Sequence, residues 1–141
     1  MNKETENGQD ILAAETRAGL KDLSKAFLRL HKTLLDAAKA EYEAKNGRIT
    51  SVNVYFQLVI DDPHFAWLRK MSALIALIDE AASVRRPATE IAAQALFDEA
   101  KILLNFKDTD EVFNDQLQTA LQNNADAVLN YNDVLKLAEK R

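Results

Sequence analysis

The chain has 141 residues, of which 48% are hydrophobic and 28% charged, and its formal net charge is −4. This length and balance fit one globular domain, and an acidic chain with scattered basic residues lacks the basic stripe that nucleic-acid binding requires. Because the chain has no cysteine, disulfides, thiolate metal sites and a cysteine nucleophile are excluded.

The start of the chain, MNKETENGQD, is polar. We predict that residues 1–9 form a disordered tail and that residues 10–141 form a single helical-bundle domain. This start has no apolar stretch of the signal-peptide kind, and no apolar run in the chain reaches the roughly 20 residues of a membrane span. We therefore expect a cytoplasmic protein without membrane contact.

The first predicted helix covers residues 10–46, where apolar residues recur at spacings of three and four and give a broad core-facing stripe. Asn46-Gly47 ends it, because a glycine there adopts the left-handed conformation that terminates helices. The helix is long for a small domain. Gly19 is therefore expected to mark a bend or the point where the helix leaves the core.

The next segment, VNVYFQLVI over residues 52–60, favours a short helix capped by Ser51. Its β-branched and aromatic residues also fit a strand, but a lone strand would have no partner elsewhere in the chain. Asp62-Pro63 then starts a helix over residues 63–84, since aspartate is a preferred N-cap and proline is favoured at the first helical position. Apolar residues surround most of that helix, which predicts that it is the most buried one.

Two more helices complete the chain. Thr89 caps a helix that runs to about residue 106, and a last helix covers residues 109–140, where several asparagines lower helicity. The residues predicted to face inward are, in the first of these, Ile91, Ala92, Ala95, Leu96, Ala100, Leu103 and Leu104, and in the second, Val112, Phe113, Leu117, Ala120, Leu121, Ala125, Val128, Tyr131 or Asn132, Leu135 and Ala138. Short connections make successive helices antiparallel neighbours. The predicted fold is thus all-α, an up-and-down antiparallel bundle of four main helices plus one short helix.

Few residues point to chemistry. Asp61, Asp62 and His64 are of the types that bind zinc or manganese, but helix capping already explains Asp62. His31 lies on an apolar helix face, where a half-buried structural histidine is favoured over a metal ligand. We predict no catalytic residue, no metal site and no cofactor.

The remaining charged motif is Arg85-Arg86. It could form a small anion site, but two adjacent arginines before a proline, here Pro87, are more often a polar turn. The sequence has no glycine-rich phosphate loop, no zinc-protease motif and no EF-hand loop. The polar turn is the favoured interpretation.

The stretch DPHFAWLRKMSALIALIDEA, preceded by LHKTLLDAAKAEYEAKNGRI and followed by ATEIAAQALFDEAKILL, resembles a family of small bacterial all-helical proteins of uncharacterised function. The resemblance covers about residues 28–105 and omits the last helix. It implies a bacterial, cytoplasmic helical protein. It carries over no functional residue.

A ligand-binding site is predicted from residues on two helices of this region. His31 and Tyr42 lie on the first helix, and Trp67, Arg69 and Asp79 lie on the helix that starts at Asp62-Pro63. We hypothesise that His31, Tyr42, Arg69 and Asp79 form a polar network within the bundle.

The predicted function is that of a non-enzymatic module that binds a protein partner or associates with itself. Its basis is an excess of apolar side chains near helix ends, namely Tyr55, Phe56, Phe106 and Phe113. The alternative is a small-molecule or cofactor-binding bundle with a pocket near Trp67 and His31. An enzyme is the least favoured class.

Overall fold

The computed structural model describes residues 11–86 and 88–141, and every regular element in these residues is a helix. The predicted tail, residues 1–9, lies outside the described residues. The helices are α1 (Ala14–Asn46), α2 (Val52–Asp61), α3 (Pro63–Ala66), α4 (Leu68–Ala81), α5 (Glu90–Leu104), α6 (Glu111–Gln122) and α7 (Ala125–Glu139). The all-α fold class and the helical state of residues 52–60 are confirmed.

Local side-chain chemistry starts most of these helices. Five of them begin with a side chain that accepts a hydrogen bond from a backbone N–H of the first turn; these N-caps are Ser51, Asp62, Thr89, Asp110 and Asn124. Such caps satisfy donors that have no partner inside the helix. The predicted caps at Ser51, Asp62 and Thr89 are confirmed.

The long helix α1 organises the core, because it packs along both α4 and α7. α5 contacts α4 and α7, and it also touches α1. Four phenylalanines from four different helices are almost completely buried between them, namely Phe27, Phe65, Phe97 and Phe113. Aromatic side chains bury the largest apolar area per residue, so this group contributes much of the hydrophobic stabilisation.

Helix α1 differs from its prediction at its start and at Gly19. It begins at Ala14 and runs through Gly19 without interruption. Leu12 and Thr16 precede Gly19 and are buried, so the helix does not leave the core there. At the other end Gly47 has the expected positive φ, 91°, but its ψ of 165° is outside the left-handed helical region.

The predicted helix 63–84 is divided at Trp67 and ends at Ala81. Trp67 itself keeps right-handed helical angles, φ −63° and ψ −27°, so the interruption lies in the hydrogen-bond pattern and not in the backbone conformation. The prediction that this helix is the most buried one is confirmed for α4, in which six of 14 residues are buried, against nine of 33 in α1 and five of 15 in α5. Part of its circumference is nevertheless open to solvent. Leu77 is 56% exposed, because α4 buries one face only.

Helix α5 ends at Leu104. Ala100, Leu103 and Leu104 are buried as predicted, but the first half of the helix turns a different face to the core. Ala93 and Phe97 are buried, whereas Ile91, Ala92 and Ala95 are exposed. Apolar residues occur around the whole circumference of this helix, so their spacing fits more than one inward face. The face that is buried in the core is the one that carries Phe97.

The predicted last helix, 109–140, is two helices, α6 and α7, separated at Asn123 and Asn124. Asn124 is extended, with φ −146° and ψ 104°, and its side chain caps α7 by accepting from the N–H of Ala127. Of the residues predicted to face inward, Phe113, Leu117 and Ala138 are buried, while Val112, Ala125 and Val128 are exposed. The asparagines therefore do more than lower helicity: they end one helix and start the next.

Candidate functional site

A cavity of about 410 Å³ opens where α1, α3 and α6 meet. We call it the Trp67 cavity. Its apolar lining consists of Leu34, Ala37, Ala38, Pro63, Trp67 and Ala120, and its polar lining of Glu41, His64, Gln116, Thr119, Asn123 and Asn124. The volume lies within the roughly 300–1,000 Å³ of small-molecule sites, although such sites usually have a more apolar lining.

The start of α3 positions two of the lining side chains. Asp62 caps the helix by accepting a hydrogen bond from the N–H of His64 at 2.9 Å, and Pro63 occupies the first turn. His64 and Trp67 are three residues apart, so they lie on the same side of this turn. The helix start at Asp62-Pro63 thus also places the rings of His64 and Trp67 beside the same cavity.

The imidazole of His64 is held in a defined orientation. Its Nε2 donates to the backbone oxygen of Ala38 at 2.7 Å, and its ring packs on Phe65 and Tyr42 with centroid separations of 5.0 and 5.8 Å. A carbonyl oxygen only accepts, so Nε2 must carry the proton. In the neutral ring, Nδ1 is then an acceptor.

Trp67 forms an aromatic wall of the cavity. It is half-buried, and its ring lies 6.0 Å from that of Phe113 on α6. Because Phe113 is completely buried, this contact fixes the indole to the core.

The junction of α6 and α7 supplies amide groups on the opposite side. Asn123 Nδ2 donates to the backbone oxygen of Thr119 at 2.9 Å, and Asn124 Oδ1 accepts from the N–H of Ala127 at 3.1 Å. These bonds leave Asn123 Oδ1 as an acceptor and Asn124 Nδ2 as a donor.

Of the predicted ligand-binding residues, Trp67 lines this cavity, and His31, Tyr42, Arg69 and Asp79 do not. Tyr42 reaches it indirectly, through its ring contact with His64. The histidine beside Trp67 is therefore His64 and not His31.

The hypothetical polar network is wrong, because its two charged members, Arg69 and Asp79, bond elsewhere and lie far apart. Asp79 Oδ1 accepts from Ser24 Oγ at 2.6 Å, and Arg69 donates from Nε to the Val59 backbone oxygen at 3.4 Å. Arg69 and Asp79 are ten residues apart on α4, about 15 Å along the axis at 1.5 Å per residue. That separation keeps the two charges at different ends of the helix.

His31 is half-buried on α1, and its burial lowers the pKa of the imidazole from the ordinary value of 6.5. A lowered pKa keeps the ring neutral at physiological pH. This is the behaviour of a histidine packed against apolar side chains.

Arg85 and Arg86 are both exposed and share a shallow recess with Glu80 and Ser83. Ser83 Oγ accepts from the N–H of Arg85 at 3.1 Å, as in a polar turn. The carboxylate of Glu80 in the same recess opposes anion binding electrostatically.

Across residues 11–86 and 88–141, no group of three or more histidine, aspartate and glutamate side chains is arranged to hold a metal ion. Within the same ranges, no helix combines the length and apolar character needed to cross a membrane. Comparison with protein-family models, with curated proteins and with solved structures gave no match.

Sequence reasoning missed most of the polar lining, namely Glu41, Gln116, Thr119, Asn123 and Asn124. The pair Asn123-Asn124 was the available signal, since adjacent asparagines favour helix ends. Placing a helix end there would have brought their side chains to a junction between helices.

Proposed function

We propose that the chain is a non-enzymatic protein-interaction module whose contact surface is the exposed face of α2. The observation that carries this proposal is a row of apolar side chains, Val52, Phe56 and Ile60, which are 71%, 60% and 57% exposed. They are four residues apart, so they form one continuous stripe. We call them the α2 stripe.

Helix α2 is an unusual surface helix. Most of its ten residues are apolar, yet it has no buried residue. An ordinary surface helix turns charged and polar residues to water, whereas the one charged residue of α2 is Asp61 at its end. A contiguous exposed apolar patch is typical of a protein contact surface.

Other contacts hold the stripe in place. The Tyr55 ring packs edge-on against Phe65, with centroids 6.1 Å apart, and Lys39 Nζ lies 5.0 Å from the Tyr55 ring centroid on its α1 side. On the other flank, Val54 and Leu58 border a groove of about 490 Å³ between α2 and α3. A pre-organised surface loses less entropy on binding than a mobile one.

The apolar residues that motivated this function from sequence divide into two groups. Phe113 is fully buried, and Tyr55 and Phe106 are half-buried against the core. Phe56 is the one that remains largely exposed. It is therefore the residue through which we test the proposal.

The test uses a photo-crosslinking amino acid at position 56, with position 91 as the matched control. Ile91 on α5 is 76% exposed, but its neighbour Ala92 is small and Glu90 is polar. We expect a defined crosslinked protein, either a second copy or another chain, from position 56 and none from position 91. Equal crosslinking at both positions, or none at position 56 in native host cells and in purified protein, would contradict the proposal.

We also propose an arrangement of the helices, a family, a location and a non-enzymatic role. α1, α4, α5 and α7 are proposed to form the antiparallel up-and-down bundle, supported by the contacts of α1 and α5 with both α4 and α7. Membership of the bacterial helical family and a cytoplasmic location are likewise kept as predictions. The absence of an enzymatic role is favoured because His64 Nε2, Asp62 and Asp79 are engaged in structural hydrogen bonds.

A further inference from the structure

The Trp67 cavity is negatively charged, a property that plays no part in the proposed protein contact through the α2 stripe. Among the described residues that line it, Glu41 carries the one formal charge. Glu41 is exposed and lines the cavity, so its charge acts on the solvent-accessible part of this space. A cationic ligand is therefore favoured over an anionic one.

The lining contains donors, among them Asn124 Nδ2, and it also offers two side-chain acceptors. The proton on His64 Nε2 is committed to the Ala38 carbonyl, which leaves Nδ1 of the neutral ring to accept. Asn123 has donated to Thr119, which leaves its Oδ1 to accept. Together with the Glu41 carboxylate, these atoms favour a ligand that donates hydrogen bonds.

The apolar lining sets a second requirement. Leu34, Ala120 and the ring of Trp67 give the cavity a nonpolar wall. An indole face attracts cations as well as apolar groups. The volume of about 410 Å³ accommodates a small ligand.

From this juxtaposition of Glu41, the Trp67 ring and unpaired acceptors, we infer that the cavity binds a small primary ammonium compound with an apolar body. The ammonium group lies between the Glu41 carboxylate and the acceptors of His64 and Asn123, and the apolar body packs on Trp67. This inference is independent of the α2 stripe, which lies outside the cavity lining.

The test compares three probes that share a phenyl ring and differ in charge: 2-phenylethylammonium, 2-phenylethanol and phenylacetate. Trp67 is the single tryptophan of the chain, so its fluorescence reports occupancy of this cavity, and calorimetry checks the affinity. We expect 2-phenylethylammonium to bind with a Kd of about 1 mM, as befits a ligand of its size. The alcohol should bind about fivefold more weakly, and the carboxylate should not bind.

Glu41→Gln isolates the charge, and because Glu41 is exposed the substitution should leave the fold intact. We expect it to weaken 2-phenylethylammonium binding about three- to fivefold, the range of an exposed ion pair, and to leave 2-phenylethanol unchanged. Glu99→Gln removes the same charge from an exposed position on α5 and should change neither affinity.

Three results would overturn the inference. The alcohol could bind as tightly as the ammonium probe, Glu41→Gln could leave the ratio of the two affinities unchanged, or 2-phenylethylammonium could fail to alter Trp67 fluorescence at about 20 mM, well above the expected Kd. Because the stripe experiment reports crosslinks at position 56, it can succeed or fail whatever these titrations show.

Discussion

At the scale of single residues, the ion pair between Lys70 and Asp108 joins α4 to the segment before α6. Lys70 Nζ lies 2.7 Å from Asp108 Oδ2, and their side chains are 38% and 7% exposed. The hydrogen bond from Lys70 lowers the pKa of Asp108 below its ordinary 3.8, and the same bond raises the pKa of Lys70. The carboxylate is thus far more buried than its cationic partner.

Because of this difference in burial, removing the charge of Lys70 should cost more stability than removing the charge of Asp108. Lys70→Met leaves a buried charge with only the Asp110 N–H as donor, at 2.9 Å, and should lower the free energy of unfolding by about 2 kcal/mol. Asp108→Asn leaves an ammonium that water can solvate, and should cost only about 1 kcal/mol. Urea unfolding followed by circular dichroism near neutral pH measures both; equal losses would contradict the asymmetry.

The pH dependence of the pair provides the control. Because the folded-state pKa of Asp108 is below its unfolded value of 3.8, the stabilisation is complete above the unfolded pKa and is lost as pH falls through the folded pKa. The difference in stability between the wild type and Lys70→Met should therefore narrow below about pH 4. A difference that stayed constant to acid pH would mean that the loss comes from packing of the lysine stem.

At the scale of elements, the junction of α6 and α7 depends on one cap. Asn124 Oδ1 accepts from the N–H of Ala127 at 3.1 Å, and Asn124 also lines the Trp67 cavity. Asn124→Ala should lower the free energy of unfolding by about 1 kcal/mol, whereas Asn124→Asp, which keeps a capping oxygen, should cost much less. Thermal and urea unfolding measure the change.

Asn132 is the matched control for this prediction, because it is an exposed asparagine within α7. Asn132→Ala should be neutral or stabilise the protein by about 0.5 kcal/mol, since alanine is the better helix former. If both alanine variants behaved alike, the contribution of Asn124 would be intrinsic helix propensity and not capping.

The helices differ in how well their sequence predicted them, and the reason is local. Asp62 and Thr89 are preferred capping residues that follow clear breaks, so their helix starts were predictable. At Asn124 the apolar spacing continues from Leu117 and Leu121 into α7, and this continuity concealed the helix end. For α5, Ile91 and Phe97 lie on different faces, and only packing decided which of them is buried.

At the scale of the whole molecule, the candidate site was less predictable than the helices. The Trp67 cavity combines α1, α3 and α6, which are distant in sequence. A hydrophobic pattern indicates that a helix has a buried face but not which helix covers it. Trp67 could be identified because it follows Asp62-Pro63, which marks the start of a helix. Gln116 and Glu41 are polar residues within helices, and no sequence pattern distinguishes them from other surface residues.

The same long-range packing explains Gly19. Arg141 Nη2 donates to the Glu15 backbone oxygen at 3.0 Å, and its guanidinium lies 5.5 Å from the centre of the Phe97 ring. A Cβ on residue 19 would lie 3.1 Å from Arg141 Nη2 and 3.4 Å from Phe97 Cζ. The glycine therefore leaves room for a contact among α1, α5 and Arg141, which lies two residues beyond the end of α7.

This geometry predicts a coupling between positions 19 and 141. In Arg141→Ala protein, Gly19→Ala should raise the free energy of unfolding by about 1 kcal/mol, the helix-propensity gain of alanine over glycine. With Arg141 present, the new methyl group displaces the guanidinium, so the gain should fall to near zero. A double-mutant cycle measured by urea unfolding should give a coupling of about 0.5–1 kcal/mol. If Gly19→Ala stabilised both backgrounds equally, the guanidinium would not be packed beside α1, and the need for a glycine there would have another cause.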